Sequence, residues 1–213
     1  METAQDRRAA LKTANRQAII VAAAQIVGER GLAGLTADEL AARADVSRRT
    51  IFNHFASLDE IVPAGFAEAI GVIVEEFTAV AEATPVGEGT SASMFDEIAR
   101  VIQASDIVTP VSRLLRLLGP KVDADVRQDV WAKEATRITS NRLTAEVLRR
   151  HPAADPLDVD VLVGSLVGGL GAVALHWHVR TGASDDPESR AVWDELVDRV
   201  LSTFRDGYGR MRD

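Results

Sequence analysis

The stretch from Leu35 to Ile61 reads LTADELAARADVSRRTIFNHFASLDEI. Its punctuation predicts two short helices joined by a tight turn, then the start of a third. Thr36 is a good N-cap and Glu39 lies three residues on, the spacing of a capping box. Leu35 and Leu40 flank that cap as a hydrophobic staple, and Leu40, Ala41 and Ala44 share one apolar face. Asp45-Val46 is the turn. Ser47 caps the second helix, with Val46 and Ile51 as its staple. Ile51 and Phe55, four apart, share the buried side, so Arg48, Arg49 and Asn53 point elsewhere. Ser57-Leu58-Asp59-Glu60 repeats the capping-box spacing and opens the next helix.

These residue types suit a duplex. A recognition helix enters the major groove N-terminus first. There Arg makes bidentate contacts to guanine and Asn to adenine. Ser47, Thr50 and the helix N-terminus suit phosphate oxygens. On an ordinary short helix the same arginines would be solvated surface charges, and it is the pattern around them that favours DNA.

An ordered set of residues over about Asn15 to Val62 resembles the TetR-type transcriptional regulators. It begins with a helix from Asn15 to Arg30, whose stripe is Ile19, Ala22, Ala23, Ile26 and Val27, and which ends at Gly31. The Gly31-Leu32 turn, the Leu35-Thr36 helix start and Val46-Ser47-Arg48-Arg49-Thr50-Ile51-Phe52-Asn53-His54-Phe55 follow. Three positions depart from the usual family pattern. Phe52 stands where Tyr is usual and Leu58 where Lys is usual, and each change removes a phosphate contact. Asp45 stands where Gly is common, and Asp tolerates a left-handed backbone better than most residues. The resemblance implies that Thr36, Ser47, Arg48, Arg49, Thr50, Phe52, Asn53 and His54 form the DNA-binding set.

Composition agrees with a globular regulator. The chain has 213 residues, 46% hydrophobic and 26% charged, and no cysteine, which excludes disulfides, thiolate metal sites and Cys nucleophiles. Residues 1–15 hold no apolar run, so no secretory leader is expected and a cytoplasmic home is. The net charge is −8, yet residues 1–58 carry eight basic and six acidic side chains. The acidity therefore belongs to the rest of the chain, and a locally basic face is what phosphate contact needs.

Beyond residue 57 the pattern is helical throughout, with turn signals at Thr84–Ser93, Gly119-Pro120, His151-Pro152 and Thr181-Gly182. An all-α chain is expected: an arm over 1–14, a helix-turn-helix domain over 15–60, and a helical ligand-binding and dimerisation domain over 61–213. Arg7, Arg8, Lys12 and Arg16 would suit a minor-groove arm or, more blandly, a frayed terminus. Val161 to Leu175 carries no charge but is shorter than the roughly 20 residues of a membrane span, so no membrane is expected. A helix apolar on nearly all sides must be buried in a bundle or at a subunit interface. Leu166, Leu170, Val173 and Trp177, with Trp193, Leu196, Val200 and Phe204 of the last helix, are the candidate homodimer interface, the four-helix arrangement that the resemblance implies.

The resemblance also implies a small-molecule effector among the middle helices. Candidate lining residues are Phe77, Met94, Phe95, Arg116, Trp131, Arg137 and His176; apolar ones are as readily core. No metal, cofactor or catalytic constellation is expected: His176 and His178, two apart on a helix, face different ways. Two other classes compete. Gly169-Leu170-Gly171-Ala172-Val173-Ala174 matches a dinucleotide fingerprint and would make an enzyme, provided a strand precedes it. A helical interaction protein indifferent to DNA is the other. The leading expectation is a dimeric repressor that binds a palindromic operator and is released by a small molecule.

Overall fold

The structure, a computed structural model, describes residues 4–118 and 126–208, with side chains for all of these except 4–5, 118, 126–132, 135 and 208. The described residues form helices α1 (Ala4–Arg30), α2 (Ala37–Ala44), α3 (Arg48–His54), α4 (Ile61–Ala83), α5 (Ser91–Ala104), α6 (Val108–Leu118), α7 (Val126–Arg150), α8 (Pro156–Thr181) and α9 (Pro187–Tyr208). Short 3-10 turns at Leu32–Gly34 and Leu58–Glu60 link α1 to α2 and α3 to α4. No strand occurs among the described residues, so the chain is all-α as expected.

The described chain divides into two units. The first runs from α1 to Ala69 and includes α6 from Arg113. Its core is Ile19, Ile20, Ala22, Ala23 and Ile26 of α1, Leu40 and Ala44 of α2, Ile51 of α3, then Phe55 and Ile61. Those are the stripes anticipated from helical periodicity, closed on one another. Gly65 permits a close approach, since a Cβ there would lie 2.9 Å from Leu117 and 3.0 Å from Ile20.

Local chemistry explains the short elements. Thr36 accepts a hydrogen bond from the Glu39 N–H at 3.3 Å, but the Glu39 carboxylate is occupied by Arg30 at 2.6 Å and Arg43 at 3.2 Å. Only half of that capping box forms. α2 ends at Asp45, which takes the left-handed conformation (φ 52, ψ 45), and the Val46 N–H closes on Ala41 O at 3.1 Å. The second capping box does not form: Ser57 makes no side-chain cap, because a 3-10 turn intervenes and α4 starts only at Ile61. There the Glu60 carboxylate instead accepts from the Ala56 N–H at 2.9 Å. α1 begins at Ala4, well before the Asn15 expected, since Arg7, Arg8, Ala9, Ala10, Leu11 and Lys12 are all good helix formers. α5 likewise takes in the Ser91–Ser93 turn read as loop, capped by Thr90.

The second unit runs from Ile70 to Ser112 and from Lys133 through α9. α8 packs lengthwise on α9, with Trp177 and Trp193 edge to face at 5.2 Å and the Trp177 indole N–H donating to Ser189 O at 2.8 Å. A Cβ on Gly169 would lie 2.7 Å from Phe204 and 2.9 Å from Val200, so this glycine sets the closeness of the two helices. Gly169–Ala174 therefore lies in mid-helix, with no strand before it among the described residues, and the context of a dinucleotide fingerprint is absent. α8 is also longer than its uncharged stretch suggested: its most apolar window has a mean hydropathy of 1.7, enough by length and composition to cross a membrane. Only 28% of that window is buried within one chain, and Val161 and Leu175 are exposed.

A charged cluster lies inside this unit. Glu97 on α5 accepts from Arg150 Nε at 2.7 Å and from the Gly87 N–H at 2.8 Å, and pairs with His151 Nε2 at 3.0 Å. Arg150 also donates to Thr84 O at 2.8 Å. The cluster thus ties the end of α7 to α5 and to the α4–α5 loop.

Candidate nucleic-acid interface

Ser47 starts α3 in an extended conformation, and its Oγ accepts from the Thr50 N–H at 3.0 Å. The Ser47 and Thr50 hydroxyls are 2.8 Å apart. Ile51 and Phe55 are buried at 0% and 4% exposure and turn α3 onto the core. That places Ser47, Arg48, Arg49, Phe52 and Asn53 at the surface, with Thr50 and His54 half-buried. Thr36, the N-cap of α2, is exposed.

The cations on α3 differ. Arg48 pairs with Asp38 of α2, both side chains being largely exposed. Such a pair contributes about 0–1 kcal/mol, so exchanging Asp38 for a phosphate costs little. Arg49 makes no ion pair with another described residue. His54 lies below the ordinary histidine value, because partial burial and the positive charges of Lys12 and Arg16 oppose its protonation. It is neutral at pH 7 and offers a hydrogen bond rather than charge.

The support beneath α3 was not visible in sequence. Arg16 Nε binds Glu68 at 2.7 Å, its Nη1 donates to His54 O at 3.4 Å, and its guanidinium sits 4.4 Å from the Phe55 ring centroid. A cation at the last carbonyls of α3 complements the helix dipole. Arg16 is therefore an anchor rather than part of an arm. No local pattern pairs it with Glu68, 52 residues away. A second network, Glu29–Arg43 at 2.6 Å with Glu39 and Arg30, fixes α2 against α1. Phe52 is 50% exposed, whereas Leu58 is half-buried against the core, which explains an apolar residue where Lys is usual.

The other candidates are scattered. Phe77, Met94 and Phe95 are buried in the second unit. Arg116 is exposed and belongs to the first unit; Arg137 is exposed and bound to Glu134 at 2.5 Å; His176 is exposed. The Trp131 side chain lies outside the described residues. Among the interface candidates, Leu166, Val173, Trp177, Trp193 and Leu196 are buried within a single chain, and Leu170, Val200 and Phe204 are half-buried.

Comparison with known proteins bears on the same region. Residues 19–64 match the family of bacterial regulatory proteins of the tetR type. No curated protein matches the chain. Among solved structures, one from Mesorhizobium loti assigned to the TetR-family transcriptional regulators is 18% identical, covering 90% of this chain and 97% of that one at a TM-score of 0.55. SmeT, the repressor of the Stenotrophomonas maltophilia multidrug efflux pump SmeDEF, is 18% identical, covering 88% and 89% at 0.55. A TetR-like transcriptional regulator from Rhodococcus sp. RHA1 is 22% identical, covering 88% and 96% at 0.50. At these identities the structures speak to the fold, while residues 19–64 carry the helix-turn-helix motif itself. Motif, geometry and fold agree: residues 19–64 are a helix-turn-helix segment of the tetR type, and the chain shares the fold of TetR-family regulator structures.

Proposed function

We propose that this protein is a ligand-responsive repressor that binds a palindromic operator as a homodimer in the cytoplasm. The division of α3 into a buried side (Ile51, Phe55) and an exposed polar side (Arg48, Arg49, Asn53) carries this reading. Arg49 and Asn53 are four apart and share a face, so both reach base edges from one helix in the major groove. Ser47, Thr50 and Thr36 hold phosphates, and Arg48 joins them on leaving Asp38. In this reading residues 15–60 bind DNA and residues 61–213 bind the effector and the second copy.

The uncovered side of α8 supports the dimer. Leu157, Val161 and Leu175 are exposed, as are Gly164 and Gly171, with Gly168 open to any added Cβ. Their spacing alternates four and three, the seam of two helices in left-handed contact, and the glycines allow close approach. A second copy of α8 is the matching partner. This seam takes the place of Leu166, Val173 and Trp177, which are already buried within one chain. For the effector, the retained candidates are Phe77, Met94 and Phe95. SmeT, similar in fold, is the repressor of a multidrug efflux pump. An effector of this chain releases DNA only if it binds unequally to dimer states with different α3 separations.

The test is a fluorescence-anisotropy titration against DNA upstream of the protein's own gene, at two salt concentrations, with random duplex as control. Tighter binding than the control at both salts is expected, and Arg49→Ala should lose about 1–3 kcal/mol of specific affinity. Equal, steeply salt-dependent binding to both duplexes would refute sequence-specific reading at that site.

A further inference from the structure

The first turns of α1 are unlike the rest of the fold. Every residue from Asp6 to Ala14 is exposed, and deep burial begins only at Ile19. A helical segment with no packing on any side gains nothing from tertiary burial, which normally supplies most helical stability. Its charge is one-sided: Arg7, Arg8 and Lys12 against Asp6. None of the three cations makes an ion pair with another described residue.

The direction of this segment matters. Arg8, Lys12 and Arg16 recur at four-residue spacing and share a helix face. Arg16 on that face touches the last carbonyl of α3, and Lys12 is close enough to His54 for its charge to be felt there. The positive stripe therefore starts where the reading helix ends and runs away from it. Arg8 to Arg16 spans about 12 Å of helix. That corresponds to roughly three or four base-pair steps along a duplex at about 3.4 Å each.

We propose that the projecting start of α1 is a second DNA-binding element, with Arg8 and Lys12 holding backbone phosphates of the duplex outside the half-site read by α3. The proposal rests on the reading of α3 as the major-groove helix. Charge complementarity selects the partner: Arg8 and Lys12, cations with no ion partner among the described residues, lie beside a helix read as holding a polyanion. It also accounts for how the interface works without the phosphate contacts absent at Phe52 and Leu58. Arg7, on the adjacent face, adds to the local potential.

The probe is a duplex that the protein itself selects from a random-centre library, made with and without roughly four flanking base pairs on each side. Wild-type protein is expected to bind the flanked duplex more tightly. R8Q/K12Q should abolish that advantage and lower the salt slope by about 0.9 for each phosphate that is no longer neutralised, leaving the preference over random duplex intact. R8K/K12R, which keeps the charges, should restore the slope. Gln is nearly as good a helix former as the residues replaced, so circular dichroism should match wild type. An unchanged slope and an unchanged flank effect in R8Q/K12Q would overturn the proposal while leaving the α3 reading standing. A wild-type protein that binds no duplex would overturn both, and Arg49→Ala on the same duplexes reports on base reading alone.

Discussion

Gly169→Ala and Gly171→Ala form a matched pair that tests how α8 is held. Both residues lie in mid-helix, so each substitution gains about 1 kcal/mol of helix propensity. They differ in surroundings. A methyl at 169 would come within 2.7 Å of Phe204 and 2.9 Å of Val200, while nothing lies within 4 Å at 171. Val200 is β-branched and stiff, so the α8–α9 contact must open. Overpacking of this kind costs about 1–3 kcal/mol. Because the propensity gain is common to both, the difference between the variants isolates the steric part: Gly169→Ala should be less stable than Gly171→Ala by about 1–3 kcal/mol. The assay is urea unfolding followed by tryptophan fluorescence, since the Trp177–Trp193 pair reports directly on this contact. Running it at several chain concentrations separates any effect of Gly171 on pairing, which depends on concentration, from the Gly169 contact, which does not. Equal midpoints and slopes for the two variants would refute the packing account of Gly169 and reopen other readings of the glycine pattern.

Three further outcomes follow from the same geometry. Phe52→Tyr adds a hydroxyl to a half-exposed ring on α3; if α3 reads DNA as proposed, operator affinity should rise by about 1.5–3 kcal/mol with no change in stability, and unchanged anisotropy would show that Phe52 does not face a phosphate. Leu40→Ala empties a position with 0% exposure in the first unit, so a loss of about 2–5 kcal/mol and of DNA binding is expected by chemical denaturation and anisotropy. Glu97→Gln removes the charge that pairs with buried Arg150 and should cost about 3–5 kcal/mol. Burial of Glu97 favours its neutral form, but the Gly87 N–H and the charges of Arg150 and His151 outweigh that and hold it below the ordinary carboxylate value. As pH falls the unfolded chain takes up this proton first, so the stabilisation is complete above the ordinary value near about 4.3 and is lost through the lower folded one. Stability curves measured from neutral to acid pH should show that loss in the wild type and lack it in E97Q.

Much of the helix-turn-helix segment was legible in local sequence. Thr36 and Ser47 announce two helix starts, and Asp45 a left-handed turn. The apolar positions of the first three helices come out on one core because helical period and capping act over a few residues. Where the reading failed, a local rule met a distant partner. Glu39 has the spacing to complete a capping box, but Arg30 and Arg43 hold its carboxylate. Leu58 follows the first residue of an apparent capping box, yet it packs on the core and a 3-10 turn takes the box's place. Arg16 looks like one more basic residue near the start of the chain, and its link to Glu68 depends on how α1 and α4 pack.

α8 shows the division most clearly. Its sequence determined that it is a long apolar helix bearing several glycines, because hydrophobicity and propensity belong to each residue wherever it sits. Which glycine faces a neighbour and which faces open space was decided only by the position of α9. A helix apolar on most sides has several faces able to pack, and the tertiary structure chose the one with Leu166, Val173 and Trp177. The side with Leu157, Val161 and Leu175 stayed uncovered. Sequence alone likewise determined that α3 is a short capped helix carrying arginines and an asparagine. That Ile51 and Phe55 would turn those side chains outward together depended on a core assembled from α1, α2 and α4, whose residues meet only once the chain has folded.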